Sequence, residues 1–272
     1  MTITLFWYGC NMMRHGDIIR LGTRMLATVG VDATPVGGPS ACCGSPKEAT
    51  PRVAEAMGRR TMQRFNDSGA ERLITWCPSC HMNLHDFMGA TTGQNAESAH
   101  LSEVLWANRG ALAPMLKHRV EARVLVHNHV GFQDRVEVNQ VVPKLLCLVP
   151  GIEVVDSPCC APSYMCSGLG GIPGALADVR TRTLEAVRNT GADTVATIFH
   201  SCHREWVTLE RDGGPRVKNW VHLLAEGLGW DYQDEYKLWR NSPDAAAAIG
   251  TERLAAAGED AVRKLVLPEL SR

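Results

Sequence analysis

No run of 18 apolar residues occurs in the 272-residue chain, so no membrane-spanning helix is expected. The first residues, MTITLFWYGC, lack both a basic stretch and a long apolar stretch, so no signal peptide is expected and the chain reads as cytoplasmic. An excess of charge is also missing. There are 28 Lys and Arg against 29 Asp and Glu, a net charge of −1, which offers no basic surface for nucleic acid or an anionic membrane. No G-x-G-x-x-G follows a strand and no P-loop is present, so no nucleotide cofactor is expected. The glycines of GLGGIPG (168–174) precede a helix without a strand before them and read as a loop. No ferredoxin-type Cys-x2-Cys-x2-Cys-x3-Cys run occurs.

Cysteine, by contrast, is abundant: ten in a chain that is 45% hydrophobic and large enough to bury a substantial core. In a small secreted chain ten cysteines would frame disulfides. In a chain of this size, with no signal peptide expected and with clustered spacings, they point to metal or redox chemistry.

An internal repeat organises them. GAERLITWCPSCH (69–81) aligns without gaps on GADTVATIFHSCH (191–203), at an offset of 122. RTMQRFNDS (60–68) lies on RTLEAVRNT (182–190) at the same offset, and SACCGSP lies over DSPCCAPS at an offset of 117. Each copy alternates strand and helix. The first has strands over 2–8, 31–36 and 72–76 and helices over 17–30, 51–69 and 79–89; the second has strands over 123–128, 152–156 and 194–199. The expected fold is α/β: two tandem pseudo-repeated Rossmann-like units, each a small parallel sheet with flanking helices. The expected boundaries are 1–118 and 119–228, with a helical tail over 229–272 that packs on its own chain or docks a partner.

Cys10 follows the first strand, Cys42 and Cys43 the second, Cys77 and Cys80 the third. Segments after parallel strands gather at the carboxyl edge of the sheet, where ligands bind and helix starts favour negative charge. Five thiols from three loops would meet there. Adjacent thiols such as Cys42 and Cys43 rarely bond to each other, because the ring strains the peptide. Four competing readings exist. Each cysteine could be a small buried hydrophobe. Four sulfurs could hold zinc, which leaves one over. LITWCPSCH could be a thioredoxin-like redox motif, which leaves Cys10, Cys42 and Cys43 unexplained. All five could hold an iron–sulfur cluster.

The complete pattern is Cys10, 31 residues, Cys42-Cys43-Gly44, and Cys77-Pro78-Ser79-Cys80, with 33 residues between Cys43 and Cys77. It resembles the signature of the CCG-domain (cysteine-rich domain) family, which includes the heterodisulfide reductase B subunits and their bacterial relatives. The resemblance spans roughly residues 1–228, since the family carries two tandem copies. It implies that Cys10, Cys42, Cys43, Cys77 and Cys80 bind a non-cubane [4Fe-4S] cluster that cleaves disulfides reductively. Gly44 would let the backbone turn close to the cluster. The resemblance further implies a ferredoxin-like iron–sulfur subunit and a flavoprotein subunit as partners, and a disulfide or persulfide as substrate.

The second copy departs from the pattern. Val130 stands in the slot of the first cysteine, Cys159-Cys160-Ala161 replaces the CCG, and Phe199-His200-Ser201-Cys202 replaces Cys-Pro-x-Cys. Cys166, His127, His129 and His200 lie in the same loops. This second site would bind another metal centre (a cubane [4Fe-4S] cluster or zinc) through Cys159, Cys160, Cys202 and a further Cys or His, or support substrate chemistry without metal, or be structural. Cys147, in the apolar run VVPKLLCLVP, reads as a core residue.

The leading expectation is therefore an iron–sulfur oxidoreductase subunit acting on sulfur or disulfide groups within a heterodisulfide-reductase-like complex. The partner would dock beside Cys77–His81 or Cys10–His15, near Trp76, Met82, Asn11, Met12, Met13 and Arg14. The alternatives are an electron-transfer subunit of a glycolate, lactate or succinate oxidoreductase, and a zinc-stabilised scaffold.

Overall fold

The computed structural model of the chain describes residues 2–45, 50–88, 93–132, 136–156, 160–162 and 165–271. The first unit runs β1 (Thr4–Gly9), α1 (Gly16–Thr28), β2 (Thr34–Gly37), α2 (Pro51–Asp67), β3 (Arg72–Thr75), α3 (Pro78–Asn83), β4 (Glu97–His100) and α4 (Leu101–Ala107). The second runs β5 (Ala122–His129), α5 (Val138–Leu146), β6 (Ile152–Val155), β7 (Cys160–Ala161), α6 (Cys166–Leu169), α7 (Ala175–Thr190), β8 (Thr194–Thr197), α8 (His200–Trp206), β9 (Arg216–Asn219) and α9 (Trp220–Gly227).

Both sheets are parallel, with orders β2-β1-β3-β4 and β6-β5-β8-β9; β7 pairs with the far end of β5. The expected pair of Rossmann-like units is present. In each sheet the winding reverses beside the first strand, so the crevice opens where β1 and β3, or β5 and β8, end. The two edge strands β4 and β9 were not expected. Their sequences, ESAH and RVKN, carry too little apolar character to read as strands.

The segment expected as one helix over 79–89 is a short α-helix followed by a wider π-helical turn, Leu84–Met88. Part of the expected glycine-rich loop is helical, since Cys166–Leu169 forms a turn of α-helix. Cys147 is exposed rather than part of the core. The buried face of α5 is Val138, Val141, Val142, Leu145 and Leu146, and Cys147 caps its end.

The strand pairings fix how the units correspond. Phe6 pairs with Ile74, and Val126 with Ala196, so Trp7, Gly9 and Cys10 of β1 match His127, His129 and Val130. One hydrophobic core runs through both units. Trp76 and Trp220 stack across the seam at 5.6 Å. Beside them Asp17 of α1 accepts a 2.6 Å hydrogen bond from Nε2 of His222 in α9, and both side chains are buried.

The tail is helical, as expected, and packs back on the chain. It opens with α10 (Glu235–Asn241) and ends in short helices over Ala245–Leu270. Glu269 bridges Arg14 of the first unit (2.6 Å) and Arg204 of the second (3.2 Å). Asp234 begins α10: one carboxylate oxygen lies 2.7 Å from His203 Nε2, and the other accepts from the Lys237 amide. Burial opposes the Asp234 charge, yet the His203 contact, with His222 and Lys237, holds its pKa well below the usual carboxylate range. Asp234→Ala should therefore cost about 3 kcal/mol, from a lost cap and an unpaired buried histidine. Because the folded pKa is depressed, this stabilisation is complete above about pH 4 and is lost as pH falls through the folded value. Urea unfolding at pH 6 and at lower pH should show the wild type losing more stability than Asp234→Asn. Equal losses would remove Asp234 from the account.

Candidate metal centres

The first centre is built by three loops at the carboxyl edge of the first sheet. Gly9 ends β1 with φ +85° and leads into Cys10. A Cβ on Gly9 would stand 3.1 Å from the Cys80 sulfur, so only glycine leaves room beside it. The Cys42–Gly44 turn is held on α2 by Thr61 Oγ1, which donates to the Cys42 carbonyl at 2.8 Å, and Trp7 Nε1 donates to the Ala41 carbonyl at 2.9 Å. Cys77 caps α3, and Cys80 lies inside that helix.

Each thiol acts on the ionisation of the next in the order Cys10, Cys42, Cys43, Cys80, Cys77. Cys10 is half-buried; the other four are buried. Hydrogen bonds from Cys10 and Cys43 push the Cys42 thiol down to about 3, against burial. Cys77 is also lowered: burial opposes its charge, but Cys80 and the backbone amides of Cys80 and Ser79 outweigh it. The contact with Cys42 raises Cys10 and takes Cys43 up to about 12, and contacts with Cys43 and Cys77 raise Cys80. The peptide alone thus stabilises thiolates at Cys42 and Cys77. Ionising the other three calls for bound cations, and a line of sulfurs suits several metal atoms better than one ion. Asn83 adds an amide 3.6 Å from the Cys43 sulfur, a contact that no motif or spacing foretold.

This line faces a cavity on the seam. Cys10, Cys43, Cys77 and Cys80 form one wall, and Met165, Ser167, Phe199, His200 and Ser201 of the second unit form the other. Phe199 and His200 occupy the slots of Cys77 and Pro78 in the repeat, so equivalent loops confront each other. Burial lowers His200 to about 3, so its imidazole is neutral at physiological pH. Among the described residues its Nδ1 has no partner, nor does the buried hydroxyl of Ser45.

The second centre is compact. His127, His129, Cys166 and Cys202 are all buried, with ligand atoms within 4.8 Å of one another. His127 Nε2 lies 3.2 Å from the Cys166 sulfur; His129 Nε2 lies 2.7 Å from Cys202 and 3.7 Å from Cys166. Burial opposes the Cys202 thiolate, yet Cys166 and the two imidazoles hold its pKa well below the usual range, while burial raises Cys166. Of the other residues expected here, His200 faces the seam cavity instead. Cys159 lies outside the described residues, and Cys160 is described only by its backbone, paired with Asn128.

A third buried group, His203, His222 and Asp234, also gathers within 4.8 Å. The sequence carried no spacing signal for it, because its members come from α8, α9 and the tail. A smaller feature recurs in both units. Thr75 and Thr197 meet Nδ1 of His81 and His203, at 2.9 and 3.3 Å.

The flank expected to receive a partner is closed. Trp76, His81, Met82, Met12 and His15 are buried, so they shield the thiols from water. Among the described side chains of those loops, Cys10, Asn11 and Arg14 are partly open.

Residues 4–85 match the family model of the cysteine-rich domain, CCG. The match to the CCG domain lies within the first unit. Four of the five thiols of its complete motif are thus the buried floor of a CCG domain, and the fifth is its mouth. No curated protein matches the chain. Among solved structures, a putative Asp/Glu racemase from Yersinia pestis shares 12% identity, covering 83% of this chain and 97% of its own, with a TM-score of 0.36. An aspartate racemase from Picrophilus torridus shares 12% identity, covering 86% and 98%, also at 0.36. The aspartate racemase homologue PH1733 from Pyrococcus horikoshii OT3 shares 9%, covering 83% and 97%, at 0.34. Among the described residues no helix is long and apolar enough to cross a membrane.

Proposed function

We propose that this protein is an iron–sulfur subunit that makes or breaks a sulfur–sulfur bond at a non-cubane [4Fe-4S] cluster held by Cys10, Cys42, Cys43, Cys77 and Cys80. The observation that carries this reading is that four of the five thiols, Cys10, Cys43, Cys77 and Cys80, line one wall of a cavity whose other wall is the second unit. When bound, the cluster exchanges electrons with the sulfur–sulfur bond. Phe199 and Met165 exclude water from the cavity, while His200, Ser167 and Ser201 offer it hydrogen-bonding groups. A disulfide or a persulfide is the substrate class that fits a sulfur-lined floor facing such a wall.

Two electrons are needed, and the chain has neither a nucleotide motif nor a ferredoxin-type run. We therefore place it in a heterodisulfide-reductase-like complex with a ferredoxin-like subunit and, beyond that, a flavoprotein. With Trp76, His81 and Met82 buried, the partner's approach is the rim at Cys10, Asn11 and Arg14. The test is anaerobic turnover of a small disulfide or persulfide by the isolated chain. Turnover is expected with a reduced dye and absent with NADH alone. Turnover with NADH would remove the need for partners. Dye oxidation and reduction without any turnover of either substrate would leave the relay reading in its place.

A further inference from the structure

We propose that His127, His129, Cys166 and Cys202 hold one zinc ion, and that this ion fixes the second unit's wall of the seam cavity. The donor set is two sulfurs and two nitrogens, the combination that suits tetrahedral zinc. Zn–S and Zn–N bonds of about 2.3 and 2.0 Å set neighbouring ligand atoms roughly 3.3–3.8 Å apart. The sulfur–nitrogen separations here are 2.7, 3.2 and 3.7 Å, so one ion seats with sub-ångström to one-ångström shifts. Two thiolates and two neutral imidazoles around a dication sum to zero, which is what a wholly buried site requires. All four ligands are buried, and none leaves a coordination position facing solvent, so the site is closed and structural.

Iron–sulfur clusters do not fit the space. In the first unit Gly9 leaves room next to Cys80. In the second, His129 occupies the Gly9 slot and its ring reaches the sulfur of Cys202, the counterpart of Cys80. A cluster of the first unit's kind has no room there. A two-iron rhomb with mixed ligands holds its sulfurs and nitrogens on opposite irons, upward of about 5 Å apart. His129–Cys202 and His127–Cys166 are far closer than that. The sequence offered all four among seven candidates for this site; two of them sit on β5 at alternate positions, on one face of the strand, where the first unit has Trp7 and Gly9.

The ligands are also the neighbours of the wall. Cys166 lies between Met165 and Ser167, and Cys202 directly follows Phe199, His200 and Ser201, so all five wall residues are within three positions of a ligand. The same two segments are tied by the Ser167 amide donating to Ser201 Oγ at 3.0 Å and by a 2.9 Å bond between the two hydroxyls. One ion bonded to both segments and to the central strand would set their spacing. The degenerate copy would thus have exchanged a redox cluster for a scaffold that faces the remaining one.

Full-length protein, purified anaerobically, is expected to contain one zinc per chain. Cys166→Ser and His129→Ala should lose the zinc and keep the iron; Cys43→Ala should lose the iron and keep the zinc. This crossed pattern separates the zinc proposal from the cluster assignment, since each can fail alone. Cobalt substituted into the wild type provides a readout independent of variant folding, with tetrahedral d–d bands and a thiolate charge-transfer band expected. Hydrogen exchange should rise at least about tenfold in 165–169 and 199–203 on zinc removal, with 40–45 unchanged. Wild-type protein with iron instead of zinc in this site, a Cys166–Cys202 disulfide in place of any metal, or octahedral cobalt overturns the site. Unchanged exchange in the two segments overturns its role in the wall.

Discussion

Cys43→Ala protein, purified anaerobically, is expected to carry almost none of the about four irons per chain that a [4Fe-4S] cluster would give the wild type. Cys43 is the middle sulfur of the line. It touches Cys42 on one side and Cys80 on the other, and these belong to loops after different strands. Removing it separates the Cys10–Cys42 end from the Cys80–Cys77 end, and no neighbouring thiol can stand in. Cys10→Ala removes only the terminal, half-buried sulfur and should lose less iron. Cys147→Ala, an exposed thiol remote from the line, should lose none. Iron and acid-labile sulfide per chain, measured beside a circular dichroism spectrum that reports folding, decide the matter. Folded Cys43→Ala protein with full iron would refute the ligand assignment.

The first centre was legible because its signal is local. Each thiol follows a strand by a few residues, and parallel topology then carries all five to one edge without any knowledge of packing. The repeat was legible for the same reason, and the strand register bears out Val130 in the slot of Cys10. What escaped the sequence depends on how faces meet. Trp76, His81 and Met82 have the composition of a docking surface, but all three are buried, Trp76 under Trp220 and His81 against His85 and His100. Cys166 and His127 were candidates of the second site, but which of its seven candidates meet is decided by tertiary contact, which takes His200 to the seam cavity instead. Asp17, His222 and Asp234 come from three distant segments, and no spacing rule links them.

The seam gives the duplication its physical sense. Two cores fuse, two tryptophans stack, and the loops that once matched as cluster binders confront each other across a cavity. A chain with one unit alone would expose Cys43 and Cys80 to water and oxygen. The second unit shields them whether or not it keeps a cluster, which relaxes the demand on its own cysteines and leaves Phe199 and His200 free to become wall.

Gly44→Ala is expected to destabilise the chain by roughly 3–5 kcal/mol and to release iron as well. The sequence suggested that this glycine keeps a Cβ away from the cluster. The structure gives a different reason. Gly44 has φ +92°, and a Cβ there would stand 2.4 Å from the Ala54 carbonyl oxygen and 2.9 Å from its carbon, both backbone atoms of α2. A side chain could rotate away, but a helix backbone cannot. The positive φ alone costs an alanine about 1–2 kcal/mol; the overlap must then push the loop off α2, against the hydrogen bonds from Thr61 and Arg64 to the carbonyls of Cys42 and Ser40. Cys42 and Cys43 move with it. Gly30→Ala is the control: φ is +79° there, but no atom lies within 4 Å of the added Cβ, so only the backbone term applies and the iron stays. Equal losses in the two variants, by urea unfolding and iron analysis, would refute the steric argument. The second unit has already made this substitution, and the outcome agrees with the physics. Ala161 sits in the Gly44 slot, and there the backbone does not turn under a helix but runs extended as β7, pairing with His129. A loop that no longer wraps a cluster no longer needs the conformation that only glycine tolerates.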